Sequence, residues 1–232
     1  IAIGTNAGLT IQNTESIAIG NESGKFRQSV YSIAMGSYAG NYLQGTGSIA
    51  LGYYAGNSCQ SSGAVAIGDE AGYTCQGSDA VALGSWAGYD NQGWSAVAVG
   101  KHAGEYSQGS VATAVGPSAG EISQGQSAVA LGRMAGYTGQ GTKAVAIGRY
   151  AGYSNQGQNA IAIGELAGNT NQAAYSIILN ASGTSLDTAT SGLFINPIAY
   201  TAAQDATYDG IMFYNTNTKE VRYSYSLDGG DF

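Results

Sequence analysis

The chain has 232 residues, of which 10% are charged and 44% hydrophobic, with 37 glycines, a balance that excludes a disordered acidic tail and does not suit an ordinary enzyme. The formal net charge is −7, and Lys and Arg never cluster, which argues against a nucleic-acid or anionic-membrane footprint. No run approaches eighteen consecutive apolar residues, so no membrane-spanning helix is expected; no basic-then-apolar leader opens the chain, but starting inside a motif at Ile1 it reads as a segment of a longer polypeptide, which leaves its export route open.

The first tetrad, Ile1-Ala2-Ile3-Gly4, sets a pattern that restarts at Ile17, Ile33, Ile49, Val65, Val81, Val97, Thr113, Val129, Val145 and Ile161. The interval is sixteen throughout, and positions are numbered 1 to 16 within each unit below. Glycine holds positions 4 and 8 from Gly4 and Gly8 to Gly164 and Gly168, and glutamine holds position 12 from Gln12 to Gln172. A fixed period without insertions marks units that bury their faces only against their neighbours, as in a solenoid. Glycine-rich units with β-branched residues two apart predict two short strands and two turns per coil. Glycines at positions 4, 8 and usually 13 are expected to supply the bends. Parallel coils stack at about 4.8 Å, giving a rod on the order of 50 Å. The fold class expected is therefore all-β, a parallel β-solenoid.

Within each coil the large aliphatics at positions 1 and 3 are expected to point inward. Position 2 is alanine in every repeat and position 16 is alanine or serine; both are expected to point outward. A solvated strand has no reason to avoid long polar side chains, so this smooth face implies a second copy of the chain, with Ala66, Ala82, Ala98, Ala114, Ala130 and Ala146 as inter-chain contacts.

The pattern degrades at Ile177-Ile178-Leu179-Asn180, and the following unit reaches Leu193 without its Gly and Gln ladders. Further on, Gly210 to Tyr214 and Glu220 to Tyr225 flank "NTNTK", a hairpin pattern suited to capping an open solenoid end. This divides the chain into a repeat domain, 1–180, and a capping or neck segment, 181–232.

The chemistry of the coil is sparse. Stacked glutamine amides hydrogen-bond to one another along such a rod, which outweighs a sugar-binding row. Cys59 and Cys75 share position 11 in successive coils; free thiols and a disulfide both stay open. They make no zinc site, since no further Cys exists and His102 is the sole histidine. His102 reads as a surface residue, and Asp69, Glu70, Asp90, Glu105, Glu121 and Glu165 scatter over variable positions, so no catalytic residue, metal site or cofactor is assigned. Aromatic side chains recur at position 6 (Tyr38, Tyr54, Trp86, Tyr150) and position 9 (Tyr73, Tyr89, Tyr137, Tyr153), with Trp94 at position 14. Tyr38, Tyr54, Tyr73, Trp86, Tyr89, Trp94, Tyr137 and Tyr153 are the candidate receptor- or glycan-binding residues; ring-on-ring stacking and lateral packing between chains are the alternatives.

The "SAVAIG…AG…QG" pattern resembles the head repeats of trimeric autotransporter adhesins and, in its sixteen-residue length, the repeats of tail-fibre and spike proteins of phages and large algal or protist viruses. It covers Ile1 to about Asn180; the adhesin heads usually repeat at fourteen. The segments "LFINPI" and "GIMFYNTNTKEVRYS" are also similar to the C-terminal ends of such viral fibre heads. The resemblance implies a left-handed β-roll, three chains around a threefold axis, and a place outside the cell or on a virion. The expected function is a non-enzymatic fibre or spike head for rigid multivalent attachment to a glycan or protein receptor. A self-assembling extracellular filament and a glycan-active enzyme are the rival readings.

Overall fold

The computed structural model of the chain describes residues 1–198 and the two strands Ile211–Tyr214 and Val221–Ser224. The described residues are all-β. Positions 1 to 3 form a three-residue strand in coil after coil, and these build one 13-stranded parallel sheet. Its register is the sequence period itself: Val81 faces Val97, Ala82 faces Ala98 and Leu83 faces Val99. The far side of the coil pairs at positions 10 and 12. There Thr10–Gln12, Phe26–Gln28, Tyr42–Gln44 and Ser58–Gln60 form a 4-stranded parallel sheet. Beyond Ser58 this side continues as single parallel bridges, from Ser58–Thr74 to Ser154–Thr170. The result is a parallel β-solenoid of about twelve coils.

The sheet reaches Gly192–Asn196, paired in register with Ser176–Asn180. The compact unit that holds the repeats is Ile1–Pro197, beyond the boundary at residue 180 that the ladders alone suggest. Separately, Ile211–Tyr214 and Val221–Ser224 pair antiparallel, as the hairpin pattern anticipates; the "NTNTK" connection lies outside the described residues.

The interior corrects the sequence expectation. Alanines of position 2 (Ala18 to Ala162), position 7 (Ala39 to Ala167) and position 16 (Ala64 to Ala160) are all fully buried within the single chain. The large aliphatics of positions 1 and 3 point the other way, half-buried or exposed. Ala66, Ala82, Ala98, Ala114, Ala130 and Ala146 therefore line the chain's own core and are not available to a partner. The reason is thickness. A methyl added at Gly24 would stand 3.2 Å from the Ala18 Cβ and 2.8 Å from Gln28 Oε1, so the opposed walls leave room for alanine and for one extended amide, and a Val or Ile side chain must turn outward.

That amide is the glutamine of position 12. Its Nε2 donates to the position 1 carbonyl of the same coil, as in Gln28 to Ile17 at 2.7 Å and Gln108 to Val97 at 2.9 Å. From Gln60 to Gln156 it also donates to Oε1 of the next glutamine at 3.0–3.1 Å. The glutamines are buried, so the ladder is an internal polar spine whose donors are satisfied along the axis.

The turns are tighter than the glycine pattern alone indicates. Positive φ occurs at glycines of positions 4 and 8, but also at non-glycine residues of positions 6, 11 and 15, for example Trp86 at 62°, Asn91 at 56° and Ser95 at 50°. Glycine at position 13 has no positive φ. Its constraint is contact between coils: a Cβ on Gly141 would lie 2.5 Å from the Gln158 nitrogen.

Candidate functional site

Two features of the coil surface concentrate binding chemistry. The first follows from the outward turn of positions 1 and 3. Met35, Leu83, Leu131, Ile163, Leu179 and Ile195 are 37–44% exposed, and between them lie half-buried Ile, Val and Leu of the same two positions. From Ile1 to Ile163 no charged residue enters either row, and Thr113 is the sole polar one. At its C-terminal end the strip opens into an apolar cleft of about 310 Å³ between Ile163, Leu179, Ile195 and Pro197. Sequence reasoning missed this face because it placed these side chains inside. The available signal was volume: a coil of sixteen residues with alanine at three of its positions has no space for two more large aliphatics.

The second feature is the pair of columns at positions 6 and 9, on either side of the Ala-Gly turn. Tyr38 stacks on Tyr54 at 4.6 Å and 5°, and Tyr54 meets Tyr73 edge-on at 5.8 Å. Tyr73 stacks on Tyr89 at 5.0 Å, and Tyr89 on Trp86 at 4.7 Å. Tyr53, Tyr106 and His102 extend this group at its margins. A second group joins Tyr137, Tyr153 and Tyr150, with Arg133 and Arg149 at 5.5 and 5.3 Å from the Tyr150 ring; Arg149 also pairs with Glu165. The structure thus gathers seven of the eight candidate aromatics into two stacks, Tyr38, Tyr54, Tyr73, Trp86 and Tyr89 in one, Tyr137 and Tyr153 in the other. Trp94 stands apart from both and is 55% exposed. Within the stacks several rings cover one another's faces and others meet edge-on, an arrangement that stiffens the rod.

Carboxylates line the first stack. Burial, and then the neighbouring Asp69, push the Glu70 carboxyl up. Burial raises the Tyr89 hydroxyl, with Glu70 the next cause, while Tyr106 is held up first by its hydrogen bond to Glu105. Glu105 is itself buried and sits 2.6 Å from His102 Nδ1, so His102 is half-buried and paired instead of a free surface residue. Ser118 occupies the next rung of the His102 column. The surrounding amides are already spent: Ser118 N donates to Lys101 O, Ala119 N to Gly116 O and Gly120 N to Ala135 O, which leaves no backbone pair there to hold an oxyanion. Among the described residues no three His, Cys, Asp or Glu side chains gather as a metal site.

No family model, curated protein or solved structure matches this chain.

Proposed function

We propose that the chain is a non-enzymatic fibre or spike head, three parallel copies around a common axis, displayed outside the cell or on a virion and used for attachment. One observation carries the reading: an aliphatic strip, interrupted only at Thr113, left half-uncovered on the sheet of the single chain. Its length of about twelve rungs and a width near 10 Å give on the order of 600 Å² of flat face, close to one partner's share of a standard interface. Exposed apolar patches of this size mark association surfaces. Parallel copies set level with one another match rung for rung, so every coil makes the same contact, and the threefold number and left-handed sense come from the likeness to adhesin and fibre repeats. The aromatic stacks belong to other positions of the coil and stay presented. Trp94, Tyr38, Tyr54, Tyr73, Trp86, Tyr89, Tyr137 and Tyr153 are the receptor-facing candidates, each weak contact repeated on three copies to gain avidity.

The test is stoichiometry in solution. The chain is expected to sediment as a discrete trimer at all concentrations, and the double variant Leu83→Lys/Leu131→Lys to sediment as a monomer with its β circular dichroism intact. Ala98→Lys, by contrast, places a charge in the core and should abolish folding. A monomeric parent chain, or a particle that lengthens steadily with concentration, would remove the trimeric head in favour of a solitary rod or a filament.

A further inference from the structure

Cys59 and Cys75 occupy one ladder of the coil, a single rung apart. Their register is fixed from both sides. The Ser58–Thr74 bridge holds position 10, Gln60 Nε2 donates to Gln76 Oε1 at 3.1 Å at position 12, and the Cys75 amide donates to Ser58 O at 3.0 Å. Both residues are left-handed, with φ of 57° and 51°, so their Cα–Cβ bonds leave the backbone alike and run side by side. The sulfurs are free thiols, Cys59 half-buried and Cys75 exposed.

Side-by-side thiols at the coil spacing suit one kind of bond better than another. A disulfide needs its sulfurs about 2.05 Å apart and its two Cβ atoms twisted by roughly 90° about the S–S axis, which parallel side chains of neighbouring rungs resist. Two metal–thiolate bonds of the zinc–thiolate length, about 2.3 Å, laid end to end span about 4.6 Å, the same order as the rung spacing of about 4.8 Å. Among the described residues no third His, Cys, Asp or Glu ligand completes a group there, so four-coordinate zinc and iron–sulfur chemistry are unsupported. Soft thiolate pairs select Cu(I) and its relatives. We propose that Cys59 and Cys75 form a two-coordinate thiolate site for a soft monovalent cation of the Cu(I) class, bridging the fourth and fifth coils. The metal enters between the sulfurs, both thiol protons leave to solvent, and no oxidation state changes. Asp90, one rung beyond the neighbouring Thr74, adds negative charge beside the site.

Reduced chain under inert atmosphere, titrated with Cu(I) against a chromophoric Cu(I) chelator, is expected to take up one metal per chain. Binding should protect both thiols from iodoacetamide, and X-ray absorption should show two sulfur neighbours. Cys59→Ser and Cys75→Asn, the latter repeating the residue found one rung on at Asn91, should each weaken uptake at least 100-fold while the β circular dichroism stays unchanged. Two independent metals per chain, one metal shared between two chains, or thiols that alkylate as fast with metal as without would each overturn the proposal. None of these outcomes depends on whether the chain is a trimer.

Discussion

Val111 holds a φ of 60° at position 15, a left-handed conformation that a β-branched side chain tolerates poorly. Glycine takes this position in two other coils, at Gly47 and Gly63, with φ of 66° and 69°. Val111→Gly is therefore expected to stabilise the chain by about 1 kcal/mol, read as a higher urea midpoint at unchanged slope. Lowered stability would show that Val111 makes a contact worth more than its strain. These turns were only faintly legible in the sequence. Positions 4 and 8 announce themselves because all eleven regular repeats keep glycine there, whereas positions 6, 11 and 15 carry almost any residue. The readable trace is a minority pattern: Gly139, Asn91, Asn155 and Asn171 at position 11, and Asp79 and Asn159 at position 15, all residue types that tolerate the left-handed region. The tyrosines carry a second residue-level expectation. The Tyr54, Tyr89 and Tyr137 hydroxyls are raised chiefly by burial and Tyr106 by Glu105, so the folded chain holds these protons more tightly than the unfolded chain. Raising the pH past the ordinary phenol value of about 10 then removes stability progressively up to the folded-state values. Ultraviolet titration of the folded chain should show phenolate appearing later than in the chain unfolded by urea.

At the scale of the coil, the Gln spine does the work that a hydrophobic centre does elsewhere. Gln108→Leu preserves bulk but removes three hydrogen bonds and cuts the spine on both sides: Gln108 Nε2 donates to Val97 O at 2.9 Å and to Gln124 Oε1 at 3.0 Å, and Gln92 Nε2 donates to Gln108 Oε1 at 3.0 Å. With each orphaned buried group costing about 1–3 kcal/mol, the variant should lose roughly 3 kcal/mol or more, measured by equilibrium unfolding. A neutral result would mean that water enters the spine. The sequence made the spine plain, because a residue type repeated at one position in every coil stacks on itself. It did not make plain which side of the strand is inside. Alternation groups positions 1 and 3 against positions 2 and 16, yet it carries no sign. The usual preference for burying the larger apolar residue assigns the sign wrongly in a coil this thin, where Ala98 is fully buried and Leu83 and Leu131 stand outside.

For the molecule as a whole, the aliphatic strip links folding to association. If three copies close over positions 1 and 3, stability depends on protomer concentration. The midpoint of thermal unfolding should rise by several degrees between micromolar and hundred-micromolar chain, and this dependence should vanish in Leu83→Lys/Leu131→Lys. A midpoint indifferent to concentration would count against the strip as an assembly surface. The candidate site was legible in part at this scale too: the aromatic columns were visible as a repeat, whereas their ring-on-ring packing depends on whether positions 6 and 9 meet across the turn, a matter of coil geometry that spacing does not encode.

The unvarying register has one more consequence. Each strand of the large sheet pairs with its counterpart sixteen residues away, Val129 with Val145 and Val145 with Ile161, so among the described repeats each coil pairs only with its immediate neighbours. Excising sixteen residues, or pasting in sixteen more, joins equivalent points and leaves each remaining neighbour correctly matched. Removing fifteen would offset the two coils at the join by one position, setting the outward side chains of positions 1 and 3 against the inward alanine of position 2. Rod length is in this sense a quantity that recombination can adjust in whole steps, without redesigning a single bond.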